Sequence, residues 1–450
     1  MFNKVVVANR GAVAARVLRA LNEMGIKSVA IYSDADAGAP YLEMADATYR
    51  IGPPPAKDSY LNQDAIIDVM RKSKADGLHP GYGFLSENAE FAQCIIRNGA
   101  RFIGPAPEWI AAMGHKTRAR ALATQYGMPI SKGSDVLSVD PDSILAAARA
   151  IGFPILVKPA GGGGGIGMLP ARNETQLLEA IERSRAMASR GFGNAEVYLE
   201  RLFDRPRHVE FQVLGDQFGD VRHLFERDCS VQRRNQKVIE EAGAPCIARP
   251  EIKRMAESIA DIIRKMGYDN IGTVEMLYDT DGSFNFLEMN TRLQVEHGVT
   301  EEVTGVDLVK AQVRSAAGER LVDIIPQAIE VSGHAIEARV YAEDPITFFP
   351  SPGRLNIFRP PQQKGVRIET GYAEGRDVTP YYDPMIAKVI VHGSTRTQAI
   401  EQLVEALGEF DIQGVKSNIS TVLAILKSEA FRTGDVHTGL IPQVLSEAKQ

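Results

Sequence analysis

The sequence is poor in cysteine: its 450 residues contain only three, Cys94, Cys229 and Cys246, which lie far apart. None belongs to a C-x-x-C pair, so neither their number nor their spacing indicates a disulfide framework. So few thiols are typical of a protein from the reducing cytosol. We therefore expect a cytoplasmic location.

Long apolar runs and a basic surplus are also missing. The start, MFNKVVVANRG, has three valines before an Arg-Gly break, too few for a signal peptide or a membrane span. No run of about 18 apolar residues occurs elsewhere. The net charge of −6 argues against general binding of nucleic acid or anionic membranes. With 44% hydrophobic residues, the chain can build two or three domain cores.

The N-terminal pattern predicts an α/β fold. Strands at 4–8 and 27–32 flank an amphipathic helix at 12–24, the spacing of a parallel βαβ unit. Similar units continue to about residue 104. The loop after the first strand reads N-R-G-A instead of G-x-G-x-x-G. This favours a Rossmann-like scaffold over a dinucleotide site.

Further along, the same periodicity predicts a compact unit, then a longer sheet region, then a closing segment. The predicted helices are 108–127, 174–189 and 251–266. The predicted strands are 153–158, 196–200, 208–214 and 221–227, followed by a hairpin at 272–290. The last segment, 333–440, combines strands with Pro/Gly turns and closing helices.

A glycine-rich stretch, 161–167, follows Lys158 at the end of a buried strand. Glycine backbones can wrap phosphate oxygens without Cβ clashes. No Lys-Ser/Thr follows at the Walker spacing. We interpret the stretch as a mobile phosphate lid rather than a linker. Lys116 and Lys158 are candidate counter-charges; their alternative is a solvated surface position.

The hairpin carries two carboxylates that we expect to face each other. Asp281-Gly282 predicts a two-residue turn, which places Glu275 directly across from Glu288. Facing carboxylates repel unless a cation lies between them. Magnesium on a nucleotide takes one or two protein carboxylates. The pair therefore predicts a metal site.

The second hairpin strand predicts a polar face that extends beyond it. Simple alternation puts one set of side chains on the same face: Phe284, Phe286, Glu288 and Asn290, with Leu287 and Met289 opposite. If the extended backbone persists, Arg292, Gln294 and Glu296 continue along the polar side. Metal ligands, an anion receptor and a spare carboxylate would then follow in order. The alternative is a solvated outer face.

A set of ordered motifs resembles the biotin carboxylase family across essentially the whole chain. The motifs are N-R-G (9–11), HPGYGFLSENA (79–89), KPAGGGGGIGM (158–168), ERDCSVQRRNQK (226–237), EMNTRLQVEH (288–297), GHAIEARVYAEDP (333–345), FPSPG (349–353) and PYYDPMIAKV (380–389). The resemblance implies a Rossmann-like domain at 1–114 and a C-terminal domain at 333–441. Between them it implies an ATP-grasp region at 115–325, with a mobile lid at about 131–203.

The resemblance also implies an activity and its site residues. The activity is ATP- and bicarbonate-dependent carboxylation of biotin through carboxyphosphate, the first half-reaction of an acyl-CoA (acetyl-CoA) or related carboxylase. Catalysis would involve Glu296 as general base, Arg292, Arg339 and Lys237. The nucleotide would contact Lys116, Lys158, Gly163, Gly164, Gly165, Glu200, Arg201, Phe203, His208, Gln232 and Asn235. Two magnesium or manganese ions would be held by Glu275, Glu288 and Asn290. Bicarbonate would be bound by Lys237, Arg292, Gln294, Val295 and Glu296, and biotin by Arg339 and Tyr82.

The implied partners are a biotin carboxyl carrier protein, a carboxyltransferase and a second copy of the chain. The family's dimer face includes positions matched here by Arg19 and Glu23. Biotin is attached within an M-K-M type turn in the family's carrier, and no such triplet occurs in these 450 residues. We therefore expect biotin to arrive as a substrate linked to another polypeptide, and expect the transferase to be separate. Nucleic-acid and membrane partners are not expected.

The sequence departs from the usual family pattern at several positions. These are Asn235 for histidine, Gly298 for proline, Ile166 for arginine, Arg201 for lysine, His115 for aspartate and Ala12 for glutamate. The R-R-N-Q-K run is more similar to urea-type carboxylases, although their chains usually continue into further domains. A urea-type subunit, another ATP-grasp ligase and a catalytically silent nucleotide-binding scaffold therefore remain as alternatives. The pathway and final carboxyl acceptor stay open.

Overall fold

The computed structural model describes residues 1–161 and 166–447. The phosphate-lid glycines Gly163, Gly164 and Gly165 lie outside these residues. The first strands are β1 (Lys4–Val7), β2 (Lys27–Ser33), β3 (Ala47–Gly52), β4 (Gly77–His79), β5 (Arg101–Phe102), β6 (Ile155–Pro159), β7 (Leu169–Ala171), β8 (Val197–Arg201), β9 (Arg207–Gly215) and β10 (Val221–Arg233). The remaining strands are β11 (Gln236–Ala242), β12 (Asn270–Tyr278), β13 (Phe284–Asn290), β14 (His334–Tyr341), β15 (Gly353–Arg354), β16 (Ile357–Arg359), β17 (Val366–Glu369), β18 (Asp377–Val378), β19 (Met385–Gly393) and β20 (Asp411–Gln413).

Fifteen α-helices accompany these strands in the described ranges, together with three short 3-10 helices. They are α1 (Gly11–Glu23), α2 (Gln63–Ser73), α3 (Ala89–Arg97), α4 (Pro107–Met113), α5 (Lys116–Gln125), α6 (Pro141–Ile151), α7 (Glu174–Phe192), α8 (Arg249–Met266), α9 (His297–Thr304), α10 (Leu308–Ala316), α11 (Leu321–Ile324), α12 (Arg396–Glu409), α13 (Ile419–Lys427), α14 (Glu429–Thr433) and α15 (Leu440–Glu447). Among them, none is both long and apolar enough to span a bilayer.

The N-terminal unit is a parallel sheet in the order β3-β2-β1-β4-β5. β1 and β2 pair in parallel and α1 connects them, so the predicted βαβ unit and α/β class are confirmed. The N-R-G loop after β1 has a structural task. Asn9 Nδ2 donates to the carbonyls of Pro80 and Tyr82 at 2.7 and 2.8 Å, which holds the HPGYG loop against the sheet edge.

The stretch predicted as one helix at 108–127 is two helices. α4 ends at Met113, Gly114 caps it, and α5 begins at Lys116. The break matters for the site because it places Lys116 in a first helical turn, close to the hairpin. Periodicity could not show it, since both helices bury an apolar side against one core.

The segment predicted to be a lid contains a three-stranded antiparallel sheet, β7-β6-β8, packed by α6 and α7. The remaining large sheet has eight strands in the order β13-β12-β9-β10-β11-β14-β19-β17. Its last three strands come from the C-terminal segment, and β11 pairs directly with β14. One continuous sheet therefore carries side chains from positions about 200 to 390 onto one face.

The hairpin β12–β13 confirms one prediction and corrects two. Glu275 does pair with Glu288. The turn, however, is not a two-residue turn: Asp279 N donates to Ser283 O, which leaves three residues in the loop. A bulge follows, since Met276 pairs with Phe286 whereas its neighbour Glu275 pairs with Glu288, leaving Leu287 as the extra residue.

The bulge also overturns the predicted alternation along β13. A strand with an extra residue changes which face its side chains take. Phe284, Phe286 and Met289 therefore pack together in the apolar core. Glu288 and Asn290 lie on the opposite face, paired with Glu275 and Thr273. The aromatic residues and the carboxylates are thus separated.

Candidate active site

Lys237 is the centre of a cluster of buried charges on the large sheet. Its Nζ lies 2.6 Å from Glu210 Oε2, 2.8 Å from Glu275 Oε1 and 2.7 Å from Glu296 Oε1. Burial alone would lower the pKa of Lys237, but the three carboxylates outweigh it and hold that pKa well above its usual value. The lysine therefore stays charged and links the hairpin to Glu296.

Glu296 lies at the start of α9 and is fully buried. Its second oxygen, Oε2, accepts from Arg339 Nη2 at 2.9 Å. Burial would raise the pKa of Glu296, but Lys237, Arg339 and Arg227 together hold it well below its usual value. In this state Glu296 is a carboxylate with a cation on each oxygen.

Arg292 is held in a fixed orientation by its neighbours. Its Nε donates to Glu87 Oε2 at 2.7 Å, its Nη2 to Asn290 Oδ1 at 2.8 Å, and its Nη1 to Gln294 Oε1 at 3.0 Å. A planar guanidinium fixed in this way can receive a small oxyanion through two donors. Arg292 and Gln294 are therefore in contact, but the strand that was expected to continue ends at Asn290, and Glu296 lies at the start of α9 instead.

The predicted metal ligands form an oxygen-rich group beside Lys237. Asn290 Nδ2 donates to Glu275 Oε1 at 2.9 Å, and His208 Nε2 lies 3.0 Å from Glu275 Oε2. Glu288 is partly exposed and lies 3.9 Å from Lys116 Nζ. Two carboxylates and an amide oxygen are ligands that magnesium accepts. The residues present thus fit a divalent ion bound with phosphate.

The two predicted phosphate lysines lie on different elements but near the same carboxylates. Lys158 ends β6 and its Nζ lies 3.0 Å from Glu200 Oε2, while Arg120 binds the other oxygen of Glu200 at 3.0 Å. Burial lowers the pKa of Lys116, helped by nearby Lys158 and opposed by Glu288. An anionic ligand at this place would raise the pKa of Lys116 again.

The other predicted nucleotide residues form two contacting pairs, Gln232 with His208 and Arg201 with Phe203. Gln232 Nε2 lies 2.8 Å from His208 Nδ1, which orients the imidazole towards Glu275. Arg201 is half-exposed, reaches Asp279 at 3.5 Å and lies over the Phe203 ring at 5.4 Å from its centroid. These contacts leave their roles towards a nucleotide as predictions.

A cavity of about 440 Å³ opens beside Arg339 and Val295. Its wall is mainly aromatic and apolar, and the buried Tyr82 hydroxyl has no hydrogen-bond partner among the described residues. The Val295 carbonyl accepts from Lys388 Nζ at 2.5 Å, which fixes the segment before Glu296. A flat, partly apolar ligand with a polar edge would fit between Tyr82 and Arg339.

The backbone conformation at the exposed position 235 explains why asparagine is found there. Arg233 pairs with Gln236, so Arg234 and Asn235 form a two-residue turn with φ of 49° and 65°. Such a turn needs the left-handed region at both central positions, which asparagine tolerates better than most residues. Its predicted nucleotide contact stays a prediction.

Several side chains that complete the site were not singled out from the sequence. Glu210 belongs to the Lys237 cluster, and its alternation with His208 along one strand was the available signal. Glu87 orients Arg292 and lies inside the quoted HPGYGFLSENA motif. Arg227 and Lys388 gave no local signal, because their partners come from distant parts of the chain.

The residues matched to the family's dimer face lie on one helix of the N-terminal unit. Arg19 Nη2 reaches Glu369 at 3.3 Å, and Glu23 accepts an ion pair from Lys310 at 2.7 Å. Both side chains keep a large exposed fraction, 40% and 49%. They are thus available to a further contact.

Comparison with known proteins agrees with this arrangement. Three family models match consecutive parts of the chain: "Biotin carboxylase, N-terminal domain" over 1–110, "Carbamoyl-phosphate synthase L chain, ATP binding domain" over 115–324, and "Biotin carboxylase C-terminal domain" over 337–443. Biotin carboxylase 2 of Bacillus subtilis is 47% identical over 99% of this chain and 100% of its own length. A pyruvate carboxylase subunit of Methanothermobacter thermautotrophicus is 46% identical over 98% of this chain and 90% of its own length.

Among solved structures, the biotin carboxylase domain dimer of Hydrogenobacter thermophilus 2-oxoglutarate carboxylase superposes with a TM-score of 0.94. It is 41% identical, with 98% of each chain covered, and was solved in complex with MgADP, ADP and bicarbonate. The match of all three models, and of relatives along almost the whole chain, shows that this chain belongs to the biotin carboxylase family.

Proposed function

We propose that this chain uses ATP and bicarbonate to carboxylate biotin, with Glu296 as the general base. The observation that carries the proposal is that Lys237 and Arg339 both contact the buried Glu296, while Arg292 lies on the segment that leads to it. Lys237 and Arg292 are placed to bind an oxyanion, and Arg339 faces the aromatic cavity. A base, an anion site and a second substrate pocket therefore meet at one point.

Bicarbonate is a poor nucleophile until its proton is removed. Arg292, Gln294 and the backbone at Val295 hold it beside Glu296, in the orientation that their contacts fix. Binding of the anion draws Lys237 from Glu296, and loss of a neighbouring cation raises the pKa of a carboxylate. Glu296 then becomes a stronger base at the moment when its substrate arrives.

The triphosphate is held by Lys116, Lys158 and His208, with Glu200, Arg201, Phe203, Gln232 and Asn235 around the base and sugar. Glu275, Glu288 and Asn290 hold magnesium or manganese, two ions in the full complex, which neutralises charge on the phosphates when bound. Gly163, Gly164 and Gly165, which lie outside the described residues, stay as the further predicted phosphate contacts. Closure of the lid over them keeps water from the labile product.

Attack of the deprotonated bicarbonate oxygen on the γ-phosphorus releases ADP and forms carboxyphosphate. Carboxyphosphate then breaks into CO₂ and phosphate, and the phosphate accepts the N1′ proton of biotin. Arg339 stabilises the negative oxygen that develops on the ureido group, while Tyr82 lines the pocket wall. The biotin nitrogen attacks CO₂ to give carboxybiotin.

We further propose that biotin arrives on a separate carrier protein and that two copies of the chain pair through the face that includes Arg19 and Glu23. Support for the carrier is the lack of an M-K-M triplet in the sequence. Support for the dimer is the dimeric state of the Hydrogenobacter domain. Carboxyltransferase is a further expected partner. A streptavidin blot that detects covalent biotin on this chain would contradict carrier delivery.

The alternative functions are not favoured. Another ATP-grasp ligase or a silent scaffold does not require Arg339 to contact the buried base, nor matches to both the N- and C-terminal biotin carboxylase models. The relatives' names include pyruvate and 2-oxoglutarate carboxylases, so several carboxyl acceptors are compatible with this fold. A urea-type subunit rests only on the R-R-N-Q-K run.

The test is bicarbonate-dependent ADP release, measured with and without free biotin. We expect release to require bicarbonate and to rise when biotin is added. ATP cleavage that depends on neither bicarbonate nor biotin would contradict the proposal. If ATP cleavage does not change when biotin is added but requires another amine or acid, the chain is a different ligase.

A further inference from the structure

Two fully buried glutamates lie side by side next to Arg339, and the reaction described above uses neither. Glu240 of β11 pairs directly with Glu337 of β14 in the antiparallel ladder. Directly opposed residues point to the same face, with Cβ atoms about 5 Å apart. Both side chains are 0% exposed, so water cannot screen their repulsion. Their juxtaposition needs either a cation between them or a proton.

The cations present are arranged outside the pair. Arg339 Nε donates to Glu240 Oε1 at 2.6 Å, and its Nη2 donates to Glu296. Lys388 Nζ lies 3.3 Å from Glu337 Oε2 but also serves Glu369 and the Val295 carbonyl. Each of the two cations is thus shared with at least one other acceptor.

One oxygen of each glutamate is left without a hydrogen-bond partner in the described residues: Glu240 Oε2 and Glu337 Oε1. A buried unpartnered carboxylate oxygen is costly. A proton on either one turns it into a donor and leaves the other carboxylate as an acceptor. The two unpartnered oxygens and the ladder pairing therefore point to one proton within the pair.

The charges that face the pair come from every neighbouring element. They are Lys237 on β11, Cys229 on β10, Glu296 before α9, Arg339 and Tyr341 on β14, Glu369 on β17, Lys388 on β19 and Tyr82 in the N-terminal unit. Burial, opposed by Arg339, raises the pKa of Glu240 to about 8. Burial, opposed by Lys388 and Arg339, raises the pKa of Glu337 to about 7. Since the groups interact, they titrate as a pair.

We propose that Glu240 and Glu337 share one proton in the working enzyme, and that this singly charged pair positions Arg339 for the ureido group of biotin. The idea rests on the proposed role of Arg339. With one negative charge, the pair orients the guanidinium through Nε and leaves Nη2 facing the site. When the proton leaves for solvent above neutral pH, a doubly charged pair draws Arg339 back from the biotin oxygen. Both glutamates are thus positioning residues.

The test compares Glu240→Gln and Glu337→Gln with the wild type across pH. Each glutamine keeps the shape, donates to the remaining carboxylate and fixes one negative charge. We expect the wild-type kcat/KM for free biotin to fall above about pH 8, and expect each single variant to lose this fall. The double variant removes the charged partner of Arg339 Nε and leaves Glu296 as the carboxylate that holds this side chain. Its kcat/KM for biotin should therefore drop about ten-fold or more at every pH.

Glu241→Gln is the matched control, because Glu241 is the next residue of β11, is equally buried, and binds His334 and Arg396 on the opposite face. We expect its alkaline fall to match that of the wild type. Infrared difference spectra provide a second readout: the wild type should show a protonated carboxyl stretch that disappears near pH 8 and is missing in both single variants.

Bicarbonate-dependent ATP cleavage without biotin separates this inference from the proposed function. We expect the single variants to keep it at the wild-type pH dependence. If that cleavage is absent from the wild type, the proposed function fails. If it is present but the alkaline fall and the carboxyl stretch persist unchanged in both single variants, the shared proton is wrong.

Discussion

Lys237 and Glu296 form a buried ion pair, with Nζ 2.7 Å from Oε1. The same lysine contacts Glu275 at 2.8 Å, so the proposed base and the proposed metal site share one cation. A change of charge at Glu296 therefore alters the electrostatic environment of the proposed metal site, and a change at the metal site alters that of Glu296. This coupling suits a reaction in which proton removal and phosphoryl transfer occur together.

Glu296→Ala should abolish biotin carboxylation, because no other described carboxylate combines contacts to both Lys237 and Arg339. A general base contributes about 10²–10⁴-fold to the rate. ADP affinity should stay close to that of the wild type, measured by calorimetry. Glu296→Gln, which keeps the shape without the basic oxygen, should be similarly inactive. Near-wild-type turnover in either variant would remove Glu296 from the mechanism.

Glu288→Gln should weaken the use of magnesium, because the ion loses one of its two charged protein ligands. The magnesium concentration for half-maximal ADP release should rise. Asp281→Asn is the control, since it removes a carboxylate from the exposed loop of the same hairpin. An equal change in both variants would point to a general charge effect rather than a ligand.

The sequence was sufficient for the N-terminal βαβ unit, which follows from local periodicity. The Glu275–Glu288 pairing is correct, but it was predicted from a two-residue turn that the hairpin does not have, and the Leu287 bulge cancels that error. The sequence was insufficient for the Leu287 bulge, because a single extra residue has no signature in an alternating apolar pattern. Simple alternation therefore placed Phe286 and Glu288 on one face, when the bulge separates them. The family resemblance names Glu288 and Asn290 as site residues without relying on that alternation, and these roles stay predictions.

The part of the site that sequence could not predict depends on long-range strand order. Glu240 meets Glu337 only because β11 and β14, almost 100 residues apart, are neighbours in the large sheet. Lys388 reaches Val295 for a similar reason. A buried glutamate in a strand is indistinguishable from a solvated one until its neighbours are known.

Glu240→Gln should make the protein relatively more stable as pH rises. Glutamate ionises near pH 4.5 when unfolded, whereas burial, opposed by Arg339, raises the folded pKa of Glu240 to about 8. A raised folded pKa contributes stability that is complete below the unfolded pKa and is lost as pH rises through the folded one. Glutamine does not ionise, so the Glu240→Gln variant does not lose stability in this way as pH rises.

The melting temperature of Glu240→Gln minus that of the wild type should therefore increase between about pH 4.5 and 8. Thermal unfolding followed by circular dichroism across this window checks it. Glu241→Gln should show no such trend in this window, because His334 and Arg396 overcome the effect of burial and lower the pKa of Glu241. The stability that Glu241 contributes is therefore lost only below about pH 4.5. A difference for Glu240→Gln that does not depend on pH would mean that Glu240 is ionised throughout.

Gly298, where the family usually has proline, leaves the space beside it to the side chain of Ile390. A Cβ at position 298 would lie 2.5 Å from Ile390 Cδ1 and 3.4 Å from Glu337 Oε2. Gly298→Ala should therefore lower the free energy of unfolding by about 1–2 kcal/mol, as overpacking does. In an Ile390→Val background, which removes the Cδ1 methyl, the same change should cost nothing. Denaturant unfolding of the four proteins gives the coupling free energy; simple additivity would contradict this close contact.

Asn235 provides the last prediction, because its conformation and its proposed contact can be tested separately. With φ of 65° in a two-residue turn, position 235 disfavours most L-residues, whereas glycine adopts this region freely. Asn235→Ala should lower the free energy of unfolding by about 1 kcal/mol, and Asn235→Gly should stay near the wild type. Urea unfolding measures both.

The same two variants also test the nucleotide contact, since each removes the amide. If the amide binds nucleotide as proposed, both should weaken ADP binding to a similar degree, in spite of their different stabilities. Affinity unchanged in both would leave the turn as the whole reason for asparagine. In that case the R-R-N-Q-K run would reflect hairpin geometry, and its similarity to urea-type carboxylases would carry no information about the carboxyl acceptor. Reconstitution with the carrier and transferase from the same source, offered acetyl-CoA, propionyl-CoA and urea, then identifies the acceptor directly.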